Sequence, residues 1–262
     1  MTLLNVDGLG IAFGGVRAVD NVSFAVPPGV IFSIIGPNGA GKTTLFNLIS
    51  GLYRPGMGKV WFDGKPATGL PPHQLANLGL SRTFQNLQIF FRMTALENVM
   101  VGRHLREHRS FLSNLLHLPA TRRQNAETRD AAHALLERVG LSDYADTIAG
   151  NMPYGALKRL EIARALATDP KLLLLDEPAA GCNPVETEEI DALILDVKWQ
   201  GVTVLLVEHD MKLVMKISDR ILVLDHGEVL AEGTAEDVRQ NPAVIAAYLG
   251  EHGQKEIARA DG

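Results

Sequence analysis

The run Gly36-Pro37-Asn38-Gly39-Ala40-Gly41-Lys42-Thr43-Thr44 constrains this chain more than any other stretch. It fits G-x-x-x-x-G-K-[ST], a loop whose backbone cradles phosphates. Glycines at 36, 39 and 41 permit the turns that aim several N–H groups at one anion. Lys42 adds a charge that reaches β- and γ-phosphates, and the Thr43 hydroxyl is placed to ligate Mg²⁺. A chance match arises in roughly one chain in a hundred of this length, but the flanks argue against chance. Val30–Ile35 reads as a buried strand, and Lys42–Ser50 has helical spacing with Gly51 as its C-cap. Strand, glycine loop and helix in that order point a helix N-terminus at phosphate. The expected ligand is a nucleotide with Mg²⁺.

At 262 residues, 46% hydrophobic and 21% charged, the chain can bury a sizeable core. Its formal net charge of −5 gives no global reason to expect nucleic-acid binding. Cys182 is the one cysteine, which rules out an internal disulfide and suits a reducing compartment. Met1–Asp7 has neither a basic region nor a long apolar run, so no signal peptide is expected. Apolar runs such as Leu172–Leu175 are too short to cross a bilayer, so a membrane role has to come through a partner.

Residues 3–35 read as short strands with turns at Gly14-Gly15 and Pro27-Pro28-Gly29, and Lys59–Gly64 as another strand ending in a turn. Residues 94–168 are mostly helical in pattern, opening on a capping box of Thr94 and Glu97. Strand and helix then alternate: strands at 171–176, 202–207 and 220–225, helices at 184–199, 210–217 and 234–249. Asn183-Pro184-Val185-Glu186 supplies an N-cap, a first-turn proline and an acidic third position. The expected fold class is α/β: a largely parallel sheet covered by helices, a small β region beside the phosphate loop, and a helical insertion at about 90–168.

Leu172-Leu173-Leu174-Leu175-Asp176-Glu177 is an apolar strand ending in two acids, which delivers charge to the carboxyl edge of the sheet where α/β ligands bind. Asp176 suits Mg²⁺, directly or through water, and Glu177 suits orienting or deprotonating an attacking water. Val204–Val207 leads to Glu208 and His209; His209 is placed either to contact the γ-phosphate or to fix the water and Glu177. Gln85 ends a short strand and can sense Mg²⁺ or water. From Gly155 a second helix runs with apolar residues at 157, 160, 162, 163 and 166 on one face. Its N-terminus is another anion-binding end. One nucleotide cannot easily use both helix ends of one chain, which suggests two chains facing each other.

Taken together, these residues resemble an ABC transporter ATPase over almost the whole chain. Gly36–Thr44 looks like Walker A and Leu172–Glu177 like Walker B. Gln85 matches the Q-loop glutamine and His209 the H-loop histidine. Met152-Pro153-Tyr154-Gly155-Ala156 stands where the family has L-S-G-G-Q, and Phe13 where an aromatic stacks on adenine. Ala180-Gly181-Cys182-Asn183 lies at the D-loop. The P-loop NTPase core, with a small antiparallel β region and an inserted helical subdomain, is the fold this implies: core about 1–90 and 169–250, helical part about 90–168. Ser81–Asn86, Met93–Asn98, Asp176–Gly181, Val207–Met215 and Asn241–Gly250 are similar to the LivG-like ATPases of branched-chain amino acid transporters. The arginine-bearing stretch around 103–138 also looks like that subfamily.

That resemblance implies an ATP- and Mg²⁺-dependent subunit peripheral on the cytoplasmic face of the inner membrane. Two ATPase subunits, this chain with itself or with a LivF-like chain, would sandwich two ATP molecules. Two transmembrane permease subunits would be driven by their closure, and a periplasmic solute-binding protein would deliver the amino acid. The signature element departs from the pattern. Pro153 replaces serine, Tyr154 the first glycine, Ala156 glutamine, and Leu157 fills a place that is often polar. Each lost charge-assisted bond there costs about 1.5–3 kcal/mol. Asn183 replaces the D-loop aspartate. ATPases for urea, short amides or lipopolysaccharide, and soluble non-transport ABC ATPases, are the alternatives.

Three further features stand apart. Five arginines and one glutamate between Arg103 and Arg123 read as a solvated helical face, with a nucleic-acid patch or attraction to acidic lipids as alternatives. Phe111, Leu112, Leu115 and Leu116 form a helical stripe expected to pack internally. Gln88-Ile89-Phe90-Phe91 is apolar for a loop and reads as an interface, since permeases dock near there in the family.

Overall fold

The computed structural model describes residues 2–106 and 119–248. The stripe of Phe111, Leu112, Leu115 and Leu116, and the middle of the arginine tract, lie outside these residues.

In chain order the strands are β1 Leu4–Phe13, β2 Val16–Val26, β3 Ile31–Ile35, β4 Met57–Phe62, β5 Lys65–Pro66, β6 Leu80–Arg82, β7 Leu172–Asp176, β8 Thr203–Val207, β9 Arg220–Asp225 and β10 Glu228–Gly233. The α-helices are α1 Lys42–Ile49, α2 Pro72–Leu78, α3 Ala95–Gly102, α4 Pro119–Arg138, α5 Tyr154–Leu166, α6 Pro184–Trp199, α7 Met211–Ile217 and α8 Ala235–Gln240.

Two sheets form. One is antiparallel, in the order β2-β1-β4-β5; the other runs β10-β9-β3-β8-β7-β6. In the second, β9, β3, β8, β7 and β6 are parallel neighbours, and β10 is an antiparallel edge. Parallel strands are covered on both faces and therefore read as apolar runs. In β7 the two-residue period divides the run cleanly. Leu172 and Leu174 enter the core between the sheets, with Phe32, Ile34, Phe46 and Leu205. Leu173 and Leu175 enter the core beneath α3–α6, with Leu160, Ile190, Val204 and Leu206. Each such fully buried leucine contributes about 1.5–3 kcal/mol relative to exposure.

Local chemistry starts the helices as the sequence indicates. Thr94 and Glu97 exchange capping bonds: Glu97 N–H donates to Thr94 Oγ1 at 3.1 Å and Thr94 N–H to Glu97 Oε2 at 2.8 Å. Gly51, at φ 74°, sits one residue past the Ser50 C-cap.

Three sequence expectations are corrected. First, residues 234–249 do not form one helix. α8 ends at Gln240, Asn241 takes an extended backbone, and a new helical run spans 242–248. Pro242 disfavours helical geometry in the residue before it, and the Asn241 side chain accepts the Ala243 N–H at 2.9 Å to start the next turn. Second, residues 228–233, given no element in the sequence, form the edge strand β10; its pairing shifts register between Val229 and Ala231, which breaks the two-residue period. Third, α5 has no single apolar face. It lies among β6, α3, α4 and α6 and is buried nearly all round, Lys158 and Glu161 included.

Candidate nucleotide site

The phosphate loop joins β3, at the centre of the six-stranded sheet, to α1. Its backbone demands glycine at two places. Gly36 has φ 152°, and a Cβ there would stand 2.1 Å from Leu224 O; Gly41 has φ 97°, and a Cβ would stand 2.4 Å from Ala18 O. The loop is seated on the β9–β10 turn through Gly227 N–H donating to Ala40 O at 3.1 Å. Pro37 and Ala40 are buried, whereas Asn38, Gly39 and Thr43 face solvent and Thr44 is half-buried. Lys42 Nζ donates across the loop to Gly36 O at 2.7 Å and Pro37 O at 2.9 Å. The ammonium thus lies over the loop, and the first N–H groups of α1 open beside it.

Asp176 ends β7 in the same sheet, two strands from β3. Its carboxylate pairs with Arg82 at the end of β6, Nη2 to Oδ2 2.8 Å. Burial pushes the Asp176 carboxyl above its ordinary range, with Arg82 opposing. Burial likewise pulls the Arg82 guanidinium down against the pull of Asp176. Arg82 Nη1 also donates to Asn47 Oδ1 at 2.7 Å and Ser50 Oγ at 2.6 Å, tying α1 to the strand tips. The guanidinium sits over the Phe46 and Phe84 rings, 5.5 and 5.2 Å from their centroids. Arg82 was missed in sequence reasoning. The available signal was a cation closing a strand that directly precedes Thr83-Phe84-Gln85.

Glu177, the next residue, has φ 48°, a left-handed conformation that costs a non-glycine residue about 1–2 kcal/mol. Its N–H is held by Val207 O at 2.9 Å. The bend turns the carboxylate toward the neighbouring loops. Gln85 Nε2 lies 3.4 Å from Glu177 Oε2, and His209 Nδ1 lies 3.7 Å from the same oxygen. Gln85, Glu177 and His209, from three separate segments, therefore meet. A second acid backs them: buried Glu208 accepts the Ala179 N–H and the His209 N–H, both at 3.2 Å, and its Oε2 lies 3.7 Å from His209 Nδ1. Burial holds the Glu208 carboxyl above its ordinary range, with those two N–H groups opposing. Its acid character is plain in the sequence; its burial is not, since it directly follows a strand end.

The remaining singled-out residues lie at the margins. Phe13 is 46% exposed and meets Tyr53 edge-on at 5.5 Å. Pro153 and Tyr154 are exposed at the start of α5, and Gly155 and Ala156 are buried. The Tyr154 hydroxyl donates to Ala180 O at 3.2 Å. Gly155 packs so closely on Glu186 that a Cβ would come within 2.5 Å of its carboxylate. Asn183 caps α6, its Oδ1 accepting the Val185 N–H at 2.9 Å and the Glu186 N–H at 3.0 Å. The loop 88–91 is divided: Ile89 is in the core, while Phe90 and Phe91 are both exposed. Cys182 is partly buried against the helical core, which pushes its thiol up.

The oxygen donors Thr43, Gln85 and Asp176 are hard ligands that suit Mg²⁺. No group of three or more His, Cys, Asp or Glu side chains able to hold a metal occurs among the described residues.

The chain is similar to known proteins over nearly its whole length. Residues 19–180 match the family model described as ABC transporter, and residues 228–253 the model described as branched-chain amino acid ATP-binding cassette transporter. The chain is 50% identical over 250 residues to the high-affinity branched-chain amino acid transport ATP-binding protein BraF of Pseudomonas aeruginosa, covering 95% of this chain and 98% of BraF. Its identity and coverage are the same with the equivalent protein LivG of Escherichia coli K12. Among solved structures it is similar to the ADP conformation of MJ1267, an ATP-binding cassette of an ABC transporter, with a TM-score of 0.82, 35% identity, and 95% and 99% of the two chains covered.

Proposed function

The chain belongs to the ABC transporter ATPases, the ATP-binding and ATP-hydrolysing cassettes, and within that family we propose that it energises an importer of branched-chain amino acids. Likeness to LivG and BraF over nearly the whole length carries this reading, and the match at 228–253 is its most specific part. Nothing in these likenesses favours transport of urea, amides or lipopolysaccharide, or a soluble non-transport role. No described helix is long and apolar enough to cross a membrane. Likeness to ATP-binding subunits of membrane transporters supports work at the cytoplasmic face of the inner membrane against two permease subunits. It would pair with a second ATPase, its own copy or a LivF-like chain, with a periplasmic binding protein supplying solute. It would act as one cassette, an α/β core of about 1–90 and 169–250 with a helical subdomain at about 90–168.

The site residues take the following roles in this reading. Phe13 stacks on adenine. Backbone N–H groups of Gly36–Thr44 hold the phosphates, and Lys42 exchanges its two carbonyl bonds for β- and γ-phosphate oxygens. Thr43, Asp176 and Gln85 would hold Mg²⁺, which would supply neutralising positive charge to the phosphates. Glu177 accepts a proton from water as its oxygen attacks the γ-phosphorus, and the bond to the β-phosphate oxygen breaks to give ADP and phosphate. His209 and Gln85, both near Glu177 Oε2, hold water and carboxylate in line. Pro153–Ala156 faces the partner's nucleotide through the α5 N-terminus. The companion-subunit site that uses this element lacks a serine hydroxyl and turns over more slowly for it.

Vesicles containing the chain with its co-purified permeases test the solute assignment. ATP-dependent, binding-protein-dependent accumulation of labelled leucine, isoleucine or valine is expected. Accumulation of urea or a short amide instead, with no branched-chain uptake, would overturn it.

A further inference from the structure

We propose that Glu161 is a positioning residue for ATP hydrolysis: from α5 its carboxylate clips both ends of the loop that carries Gln85. One oxygen, Oε1, accepts the Gln88 N–H at 3.2 Å and the Phe84 N–H at 3.5 Å. These two donors bracket Gln85, Asn86 and Leu87. Glu161 is only 3% exposed. A carboxylate so buried is costly unless donors satisfy it, and here the donors are backbone groups of a functional loop.

The loop is anchored on both sides of that clip. Toward the sheet, Thr83 N–H donates to Leu174 O at 2.9 Å, and Asp176 N–H donates to Thr83 Oγ1 at 3.4 Å. Toward the helices, fully buried Asn98 on α3 accepts the Phe90 N–H at 2.9 Å and donates to Phe90 O at 3.1 Å. Arg164, one turn beyond Glu161 on α5, lies over the Phe90 ring at 5.5 Å. Residues 84–90 thus form a bridge with one foot on β7 and the other on α3 and α5. Gln85 stands on its span, and its amide reaches Glu177 at 3.4 Å. Glu161 fixes where the span runs, so it sets the distance between Gln85 and Glu177. It touches neither nucleotide-loop residue nor Glu177, and acts only through Gln85.

The proposal rests on the reading that Gln85 serves hydrolysis, and its test keeps the two apart. ATP turnover of the full-length chain is measured for wild type, Glu161→Ala, Glu161→Gln, Gln85→Ala and the Glu161→Ala/Gln85→Ala pair. Amide hydrogen exchange is followed over residues 84–88 and 36–44. Glu161→Ala is expected to lower kcat about tenfold, the scale of losing a charged buried acceptor, with KM for ATP changed less than about twofold because residues 36–44 are untouched. Exchange rises over 84–88 and stays constant over 36–44. Glu161→Gln restores most of the rate, since one amide oxygen can accept both N–H groups. The double variant is no slower than Gln85→Ala alone. Losses that multiply in the double variant, or unchanged exchange over 84–88, overturn the proposal. If Glu161→Ala fails to fold, Glu161→Asp, whose shorter side chain withdraws the carboxylate, takes its place with the same expectations. Wild-type turnover in Gln85→Ala would defeat the role of Gln85 itself, while the exchange result would still decide whether Glu161 holds the loop.

Discussion

The Arg82 guanidinium donates to the Asp176 carboxylate at 2.8 Å with the two side chains only 7% and 4% exposed. Two ions leave water together here, and Asn47 and Ser50 take up further guanidinium donors. The pair links the helix after the phosphate loop to the strand tip that bears the carboxylate proposed to hold Mg²⁺. Arg82→Ala would leave that carboxylate buried and uncompensated, at a cost of about 3–5 kcal/mol. Urea unfolding should show this loss, and a smaller one when Asp176→Asn is added. Equal losses in the single and double variants would show that the pair is not the cause.

Glu177 combines a strained backbone with proximity to Gln85 and His209. Glu177→Gln keeps shape and removes the proposed base. ATP turnover should fall at least about a hundredfold, with nucleotide affinity preserved. Retained turnover would remove Glu177 from the role of base.

Asn183 occupies the place where the family's D-loop has aspartate, and its side chain caps α6. Asparagine and aspartate are equally good caps. Asn183→Ala should cost about 1 kcal/mol of stability and Asn183→Asp almost nothing. Thermal unfolding of the two variants checks this; equal melting temperatures for alanine and aspartate would contradict a capping role.

Burial holds the Glu208 carboxyl above its ordinary 4.5. Well below pH 4.5 the group is protonated in folded and unfolded chains alike, and it imposes no pH-dependent cost. As pH rises from there through the raised folded value, the unfolded chain releases its proton first and the folded state loses stability. Glu208→Gln has no proton to lose. The stability of wild type relative to this variant should therefore decline with pH across that window and level off above it. A difference independent of pH would contradict the assignment.

Legibility in the sequence followed how local each determinant was. The phosphate loop, the β7 run with Asp176 and Glu177, and the caps at Thr94 and Asn183 depend on neighbours within a few residues, and each was readable. Elements defined by tertiary surroundings were not. The helix α5 carries Lys158 and Glu161 on faces that a surface helix would expose, yet other elements enclose it on every side. Arg82 and Glu208 look like ordinary charges after strand ends, and their partners, Asp176 and Ala179, lie 94 and 29 residues away. Gln85 and His209 were singled out by position, but only the folded chain brings both beside Glu177.

The central claim is that Lys42 and the loop around it grip the triphosphate of MgATP. Titration calorimetry of the full-length chain with MgATP tests it most directly. Saturable binding is expected for wild type, and an affinity lower by about tenfold or more for Lys42→Ala, the effect of losing a charged donor to phosphate. No binding heat in wild type, or equal affinities for the two proteins, would contradict the account.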